Sequence, residues 1–135
     1  MEDTIFAKII RREIPAEIIY EDADTLAFLD VKPIALGHTL VVPKKFVRNI
    51  FDAEEETLSA LMRTVQKISL ALRATGAEGV NVGINNEPAA GQEVFHFHIH
   101  TIPRYASDGL EHWHGKECSA TKLSETAAKL RAKLA

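Results

Sequence analysis

Cysteine is nearly absent: among 135 residues there is one, Cys118. An internal disulfide and a zinc site built on a cysteine pair are both excluded, and the usage suits a reducing cytosol. Tryptophan is equally scarce, with Trp113 alone. No apolar run is long enough for a membrane span, and the acidic start Met1-Glu2-Asp3-Thr4 is unlike a signal peptide. The expectation is a cytoplasmic protein without a membrane partner. Positive charge is not in excess either, since 16 Lys and Arg against 19 Asp and Glu leave a formal net charge of −3. No basic groove for nucleic acid is expected, so phosphate must be held locally, by His⁺ or by backbone N–H groups. Repeats and low-complexity tracts are missing. The length predicts one domain, 1-135, large enough for a substantial core, and the 46% apolar content is ordinary for a globular protein.

What is present is histidine in a pattern. Phe95-His96-Phe97-His98-Ile99-His100-Thr101-Ile102 alternates apolar residues with imidazoles. Strict alternation predicts a β-strand with Phe95, Phe97 and Ile99 on one face and His96, His98 and His100 on the other, about 6.5–7 Å apart. Three readings compete on this stretch. It is an amphipathic strand whose polar face happens to be His, or a His-x-His metal clamp awaiting a third ligand. The third reading is covalent catalysis, with one imidazole attacking and the others holding developing charge.

Taken in order, the chain predicts a short helix from Ile5, capped by Asp3 or Thr4, with Ile5, Phe6, Ile9 and Ile10 as its apolar stripe. Residues 17–21 and 25–30 read as a hairpin about the turn Asp22-Ala23-Asp24. Leu26, Phe28 and Asp30 share a face, an aromatic followed by a carboxylate, as a nucleoside would need. His38 opens an apolar strand through Val42, stopped by Pro43. A long helix is expected from an N-cap at Asp52 to a stop at Gly76, about 23 residues or 35 Å. Val80, Val82 and Ile84 mark another strand, and Gly91-Gln92 is either a turn or a backbone nest for an anion. Pro103 and Arg104 are expected to break the His strand. Residues 105–119 read as irregular, and Leu123, Ala127 and Leu130 as the packing stripe of a last helix. This order fits an α+β fold, a largely antiparallel sheet with one long covering helix.

The stretch His96 to Ile102 also resembles the motif of the histidine triad (HIT) superfamily of nucleotide hydrolases and transferases. Thr4-Ile5-Phe6-Ala7-Lys8-Ile9-Ile10, Phe28-Leu29-Asp30, Gly37 to Lys45, Asn85 and Gly91-Gln92 are similar to its Hint-like branch in bacterial form. The resemblance covers residues 4–104 and leaves 105–135 as a tail.

The resemblance implies about five antiparallel strands per subunit, with the sheet continued across a homodimer. It implies a purine nucleotide substrate, AMP or GMP conjugated at the α-phosphate, and a nucleoside phosphoramidase acting through a nucleotidyl-histidine. His98 corresponds to the nucleophile, His100 and His38 to phosphate-binding and proton-donating partners, and His96 to an orienting residue. Asp30 corresponds to the ribose-binding carboxylate. Ile5, Phe6, Ile9, Phe28 and Val31 correspond to the purine slot. Asn85, Gly91, Gln92, Glu93 and Val94 correspond to phosphate and leaving-group contacts, with Glu93 replacing a serine frequent in Hint proteins. Many bacterial relatives carry Cys-x-x-Cys where Thr4 and Ala7 stand, so no structural zinc is expected, and no cofactor is required. A zinc on His98 would occupy the lone pair a nucleophile needs. The rival functions are a dinucleoside polyphosphate hydrolase and a non-catalytic nucleotide-binding regulator.

Overall fold

The computed structural model describes residues 3–135. Thr4 is extended, and its Oγ1 accepts from the Ala7 N–H, opening helix α1 (Ile5–Ile10) with a side-chain cap. Strands β1 (Ile18–Glu21) and β2 (Thr25–Leu29) form the expected hairpin. Its turn is held by Asp22 Oδ1, which accepts from the N–H groups of Asp24 and Thr25. Strand β3 (Thr39–Pro43) is buried throughout. Helix α2 (Glu55–Ala74), strand β4 (Gly79–Gly83), strand β5 (Ile99–Arg104) and helix α3 (Ala120–Leu134) complete the order. The five strands form one antiparallel sheet in the order β1-β2-β3-β5-β4.

Two cores lie on the two faces of that sheet. Under α2 pack Ala27, Val41, Val47, Leu61, Val65, Ile68, Phe97 and Ile99. Under α1 pack Phe6, Ile9, Leu26, Phe28, Leu40 and Val42. Successive residues of β3 therefore enter different cores, which is why that strand reads as a continuous apolar run. Leu61 is fully buried, a placement that stabilises the fold by about 1.5–3 kcal/mol.

Four expectations need correction. The long helix begins at Glu55 with Glu54 as its cap residue, not at Asp52. Asp52 is taken by a preceding turn, where its carboxylate accepts from the N–H groups of Arg48 and Asn49. The His strand begins at Ile99, not Phe95. Upstream of it the chain leaves β3, and the Phe97 N–H donates instead to the Val47 carbonyl. Pro103 and Arg104 do not break that strand but end it in register with Val80 and Gly79. Arg104 points its carbonyl at β4, accepting from the Glu78 N–H, so Pro103 turns its imide nitrogen the other way. There β3 pairs only as far as Thr101, and the missing N–H costs no ladder bond.

The fourth correction concerns the tail. Helix α3 forms, capped by the Ser119 hydroxyl on the Lys122 N–H, but it buries no residue. Leu123 and Leu130 are 59% and 60% exposed, and Trp113 is 99% exposed. Along the stripe of Leu123, Ala127 and Leu130, the two leucines are thus left uncovered by this chain and only Ala127 is half-buried. Among the described residues, no helix is long and apolar enough to cross a membrane.

Candidate active site

The α1 side of the sheet gathers the four imidazoles. His98 follows the bend at Phe95 and is 7% exposed, with Nδ1 2.7 Å from the His96 carbonyl oxygen. A carbonyl only accepts, so Nδ1 carries the proton and Nε2 keeps a free lone pair. Nε2 has no hydrogen-bond partner among the described residues. The Phe6 ring stands edge-on to His98 at 4.9 Å and to Phe28 at 5.4 Å, walling this side with aromatic carbon.

His38 and His100 form a directed pair. The Ile34 N–H donates to His38 Nδ1 at 3.1 Å. Neutral His38 therefore carries its proton on Nε2, which lies 2.9 Å from His100 Nδ1. His100 in turn must carry its proton on Nε2. Two hydrogen bonds thus set both tautomers in series, beginning at a main-chain N–H. His98 and His100 have ring centroids 5.0 Å apart. Asp30 stands at the end of β2, its Oδ2 3.8 Å from His38 Nε2, while Oδ1 accepts from the Lys32 N–H.

Burial holds His38, His96, His98 and His100 below the ordinary histidine value. Repulsion from a neighbouring imidazolium adds to it in each case. The Asp30 carboxylate pulls the other way at His38, His98 and His100. At neutral pH the site holds neutral imidazoles, the state a nucleophile requires.

Asp30, His38 and His100 bring three ligand-type atoms within 4.8 Å of one another. Their hydrogen bonds fit a metal poorly. A neutral imidazole bound through Nε2 must protonate Nδ1, and the Ile34 N–H already points at that atom. The cluster is better matched to passing a proton than to holding a cation.

Other residues singled out by the sequence fall in several places. Ile9 is buried in the α1 core, whereas Ile5 is 49% and Val31 87% exposed. Asn85 is half-buried and lies beside Gly91, whose φ of 88° marks a left-handed turn. The N–H groups of Gly91 and Gln92 are bonded to the Pro88 and Glu87 carbonyls, so this is a turn and not an open nest. Gln92 is a buried strut. Its Oε1 accepts from Asn49 and from the Glu87 N–H, and its Nε2 donates to the Arg48 and Val94 carbonyls. Glu93 is exposed and Val94 half-buried against the α1 core.

The sequence reading missed what steadies this loop. Arg48 forms a fork with Glu87, a residue at φ 75°, and its guanidinium lies 4.4 Å over the Phe95 ring. Arg48 and Asn49 together hold the Glu87 carboxyl down at about 2. It also missed the Ile34 N–H, a main-chain donor that no side chain announces. Thr4 was read as a cap, but its second bond, to His96 Nδ1 at 3.0 Å, was not foreseen.

An antiparallel five-stranded sheet with His96, His98 and His100 alternating along the approach to β5 and into it, and a fourth histidine, His38, immediately ahead of β3, defines a histidine triad protein. A model of the HIT domain matches residues 11–107, and the chain belongs to that family. A HIT-like protein of Methanocaldococcus jannaschii is 48% identical over 105 residues, 78% of this chain and 81% of the relative. Adenylylsulfatase HINT3 of Arabidopsis thaliana is 38% identical over 129 residues, 95% of this chain and 66% of that protein. The crystal structure of SMU.412c from Streptococcus mutans superposes with a TM-score of 0.93 at 40% identity, covering 100% of this chain and 87% of that one. A histidine triad nucleotide-binding protein from Candida albicans gives 0.86 at 34% identity, covering 98% and 97%. At the level of the family, this is a fold of nucleotide-binding proteins and nucleotide hydrolases.

Proposed function

We propose that this protein hydrolyses purine nucleotide conjugates at the α-phosphate, as a nucleoside phosphoramidase, through a nucleotidyl group carried on His98. The observation that carries the reading is the 2.7 Å bond from His98 Nδ1 to the His96 carbonyl, which leaves Nε2 as the one basic nitrogen of that ring. Nε2 attacks phosphorus and the bond to the leaving amine breaks. The amine takes a proton from His100 Nε2, which recovers one from the water that attacks in the second step, while the His38 Nε2–H stays hydrogen-bonded to His100 Nδ1 and holds that ring in place. Water then cleaves the phosphorus–nitrogen bond to His98, releasing the nucleotide and the free imidazole. Asp30 takes the ribose hydroxyls, and Phe6, Phe28, Ile5 and Val31 border the base. The mechanism calls on no metal in either step: the singly charged phosphate meets the Nε2–H of neutral His100 as its donor.

The name of the Arabidopsis relative favours a second leaving group, sulfate, on the same adenylyl centre. The two are separated by offering adenosine 5′-phosphoramidate and adenylyl sulfate, each in excess EDTA, and following AMP release by wild type and His98→Ala. Release by wild type and none by the variant supports covalent catalysis at His98. Release restored only by added zinc or manganese overturns it, and tight AMP binding without release favours a regulator.

The working unit in this reading is a homodimer in the cytoplasm. Strand β4 is a sheet edge with Val82 exposed, α2 exposes Met62 and Leu70, and the tail offers Trp113, Leu123 and Leu130. Light scattering on the purified protein tests it: a mass near twice 14.9 kDa is expected, and a monomer at micromolar concentration overturns it.

A further inference from the structure

One hydroxyl links the first turn of the chain to the catalytic histidines. Thr4 Oγ1 accepts from the Ala7 N–H at 3.0 Å, which closes α1, and lies 3.0 Å from His96 Nδ1. His96 Nε2 lies 2.9 Å from the Pro43 carbonyl oxygen, so Nε2 must carry a proton. His96 is 1% exposed and its burial favours the neutral ring. Nδ1 is then a bare lone pair, and the hydroxyl has one proton with which to satisfy it. The assignment is complete: Thr4 accepts from the helix and donates to His96, and both ring nitrogens of His96 are matched. The carbonyl of the same His96 holds Nδ1 of His98.

We propose that Thr4 is a positioning residue of the triad, fixing the tautomer and orientation of His96 and, through the His96 carbonyl, the nucleophile. The proposal rests on the catalytic reading above. It assigns to Thr4 a task beyond capping. The same hydroxyl that sets α1, and with it the Phe6 ring against His98, also sets the ring that precedes the nucleophile by two residues. Around His96 stand the Phe6 ring at 6.2 Å and the Phe46 ring at 5.5 Å. His98 is the titratable neighbour acting on it. No carboxylate is among its described partners, so neutrality rests on burial and on Thr4 as donor.

Two substitutions separate capping from positioning. Thr4→Ser keeps both hydrogen bonds. Thr4→Asp keeps a strong helix cap but has no proton to donate, and its carboxylate accepts from a protonated Nδ1 instead. Nitrogen-15 NMR of labelled histidine is the first readout and needs no substrate. Wild type and Thr4→Ser are expected to hold His96 as the Nε2–H tautomer from pH 6 to 8. Thr4→Asp is expected to hold it doubly protonated at pH 7. Hydrolysis of adenosine 5′-phosphoramidate is the second readout. Thr4→Ser should retain kcat within about twofold, and Thr4→Asp should lose on the order of tenfold or more in kcat from misplacing the nucleophile. His96 remaining Nε2–H in Thr4→Asp overturns the proposal, as does an altered tautomer with unchanged kcat. If wild type hydrolyses neither conjugate, the catalytic reading fails by itself, and the tautomer shift still decides whether Thr4 governs His96.

Discussion

The chain from His96 to Thr101 shows two sides to two different layers. Phe97, Ile99 and Thr101 turn toward α2, and His96, His98 and His100 toward α1. Burial alone does not separate them, since Phe97 and His96 are both 1% exposed. Hydrogen bonding does. The α2 side asks for almost none, and Thr101 Oγ1 is buried there without a partner among the described residues. On the α1 side both nitrogens of His96 and of His38 are engaged, while Nε2 of His98 and of His100 are left over. A one-residue offset on one backbone therefore divides stability from reactivity. The unsatisfied atoms on the imidazole side are those a reaction needs.

The comparison is sharpened most by removing one residue from each side. His98→Ala is expected to abolish AMP release, a loss of several powers of ten, with the fold retained. Leu61→Ala should do the reverse. It should cost about 2–5 kcal/mol of stability, seen as a lower urea midpoint at unchanged slope, while kcat per folded molecule holds. If Leu61→Ala cut kcat as deeply as His98→Ala, the two sides would not be separable.

Between pH 8 and 5, above the range where the carboxylates titrate, acid should strike the imidazole side first. The folded values of His38, His96, His98 and His100 lie below the unfolded value of 6.5. The unfolded chain then binds more protons than the folded one as pH falls through 6.5. The stability these residues contribute is whole above that pH and is lost progressively below it. Urea midpoints measured from pH 8 to 5 should fall on the acid limb. His96→Gln, with one titrating group fewer, should show a shallower fall, and an identical slope would count against a buried neutral His96.

A smaller effect is expected from the polar contact within the α2 layer. Thr25 and Thr64 share a hydrogen bond of 2.7 Å between β2 and α2. Thr64→Val removes one partner of the Thr25 hydroxyl, which keeps its bond to Asp22 Oδ1, and should cost about 0.5–1.5 kcal/mol, with catalysis unmoved. The smallest effect belongs to the tail. Leu130→Ser alters a side chain 60% exposed and should change the stability of the monomer by no more than about 0.5 kcal/mol. A larger loss in dilute protein would mean that α3 packs on its own chain after all.

Period and punctuation made much of this legible. The hairpin about Asp22, the nearly all-apolar β3, the long helix stopped just ahead of Gly76 and the segregation of Phe97 and Ile99 from the histidines all followed from alternation, helical spacing and turn chemistry. Boundaries went astray where a tertiary bond outbid a local signal. Asp52 has the chemistry of a cap, yet Arg48 and Asn49 claimed its carboxylate first. The stretch from Phe95 to His98 has the pattern of a strand, yet β3 is not beside it to pair with. The stripe of α3 is a sound helical period, but spacing cannot say which surface, if any, lies opposite.

By itself the sequence determined the family, the sheet with its covering helix and the side on which the histidines gather. Side-chain order along an extended backbone dictates which face each residue occupies. Only the tertiary structure decided which nitrogen of each imidazole bears the proton. That depends on donors and acceptors far along the chain: Thr4 and Pro43 for His96, the Ile34 N–H for His38, and His38 itself for His100. A tautomer is a property of the partner an imidazole meets, and these partners meet only when the chain has folded.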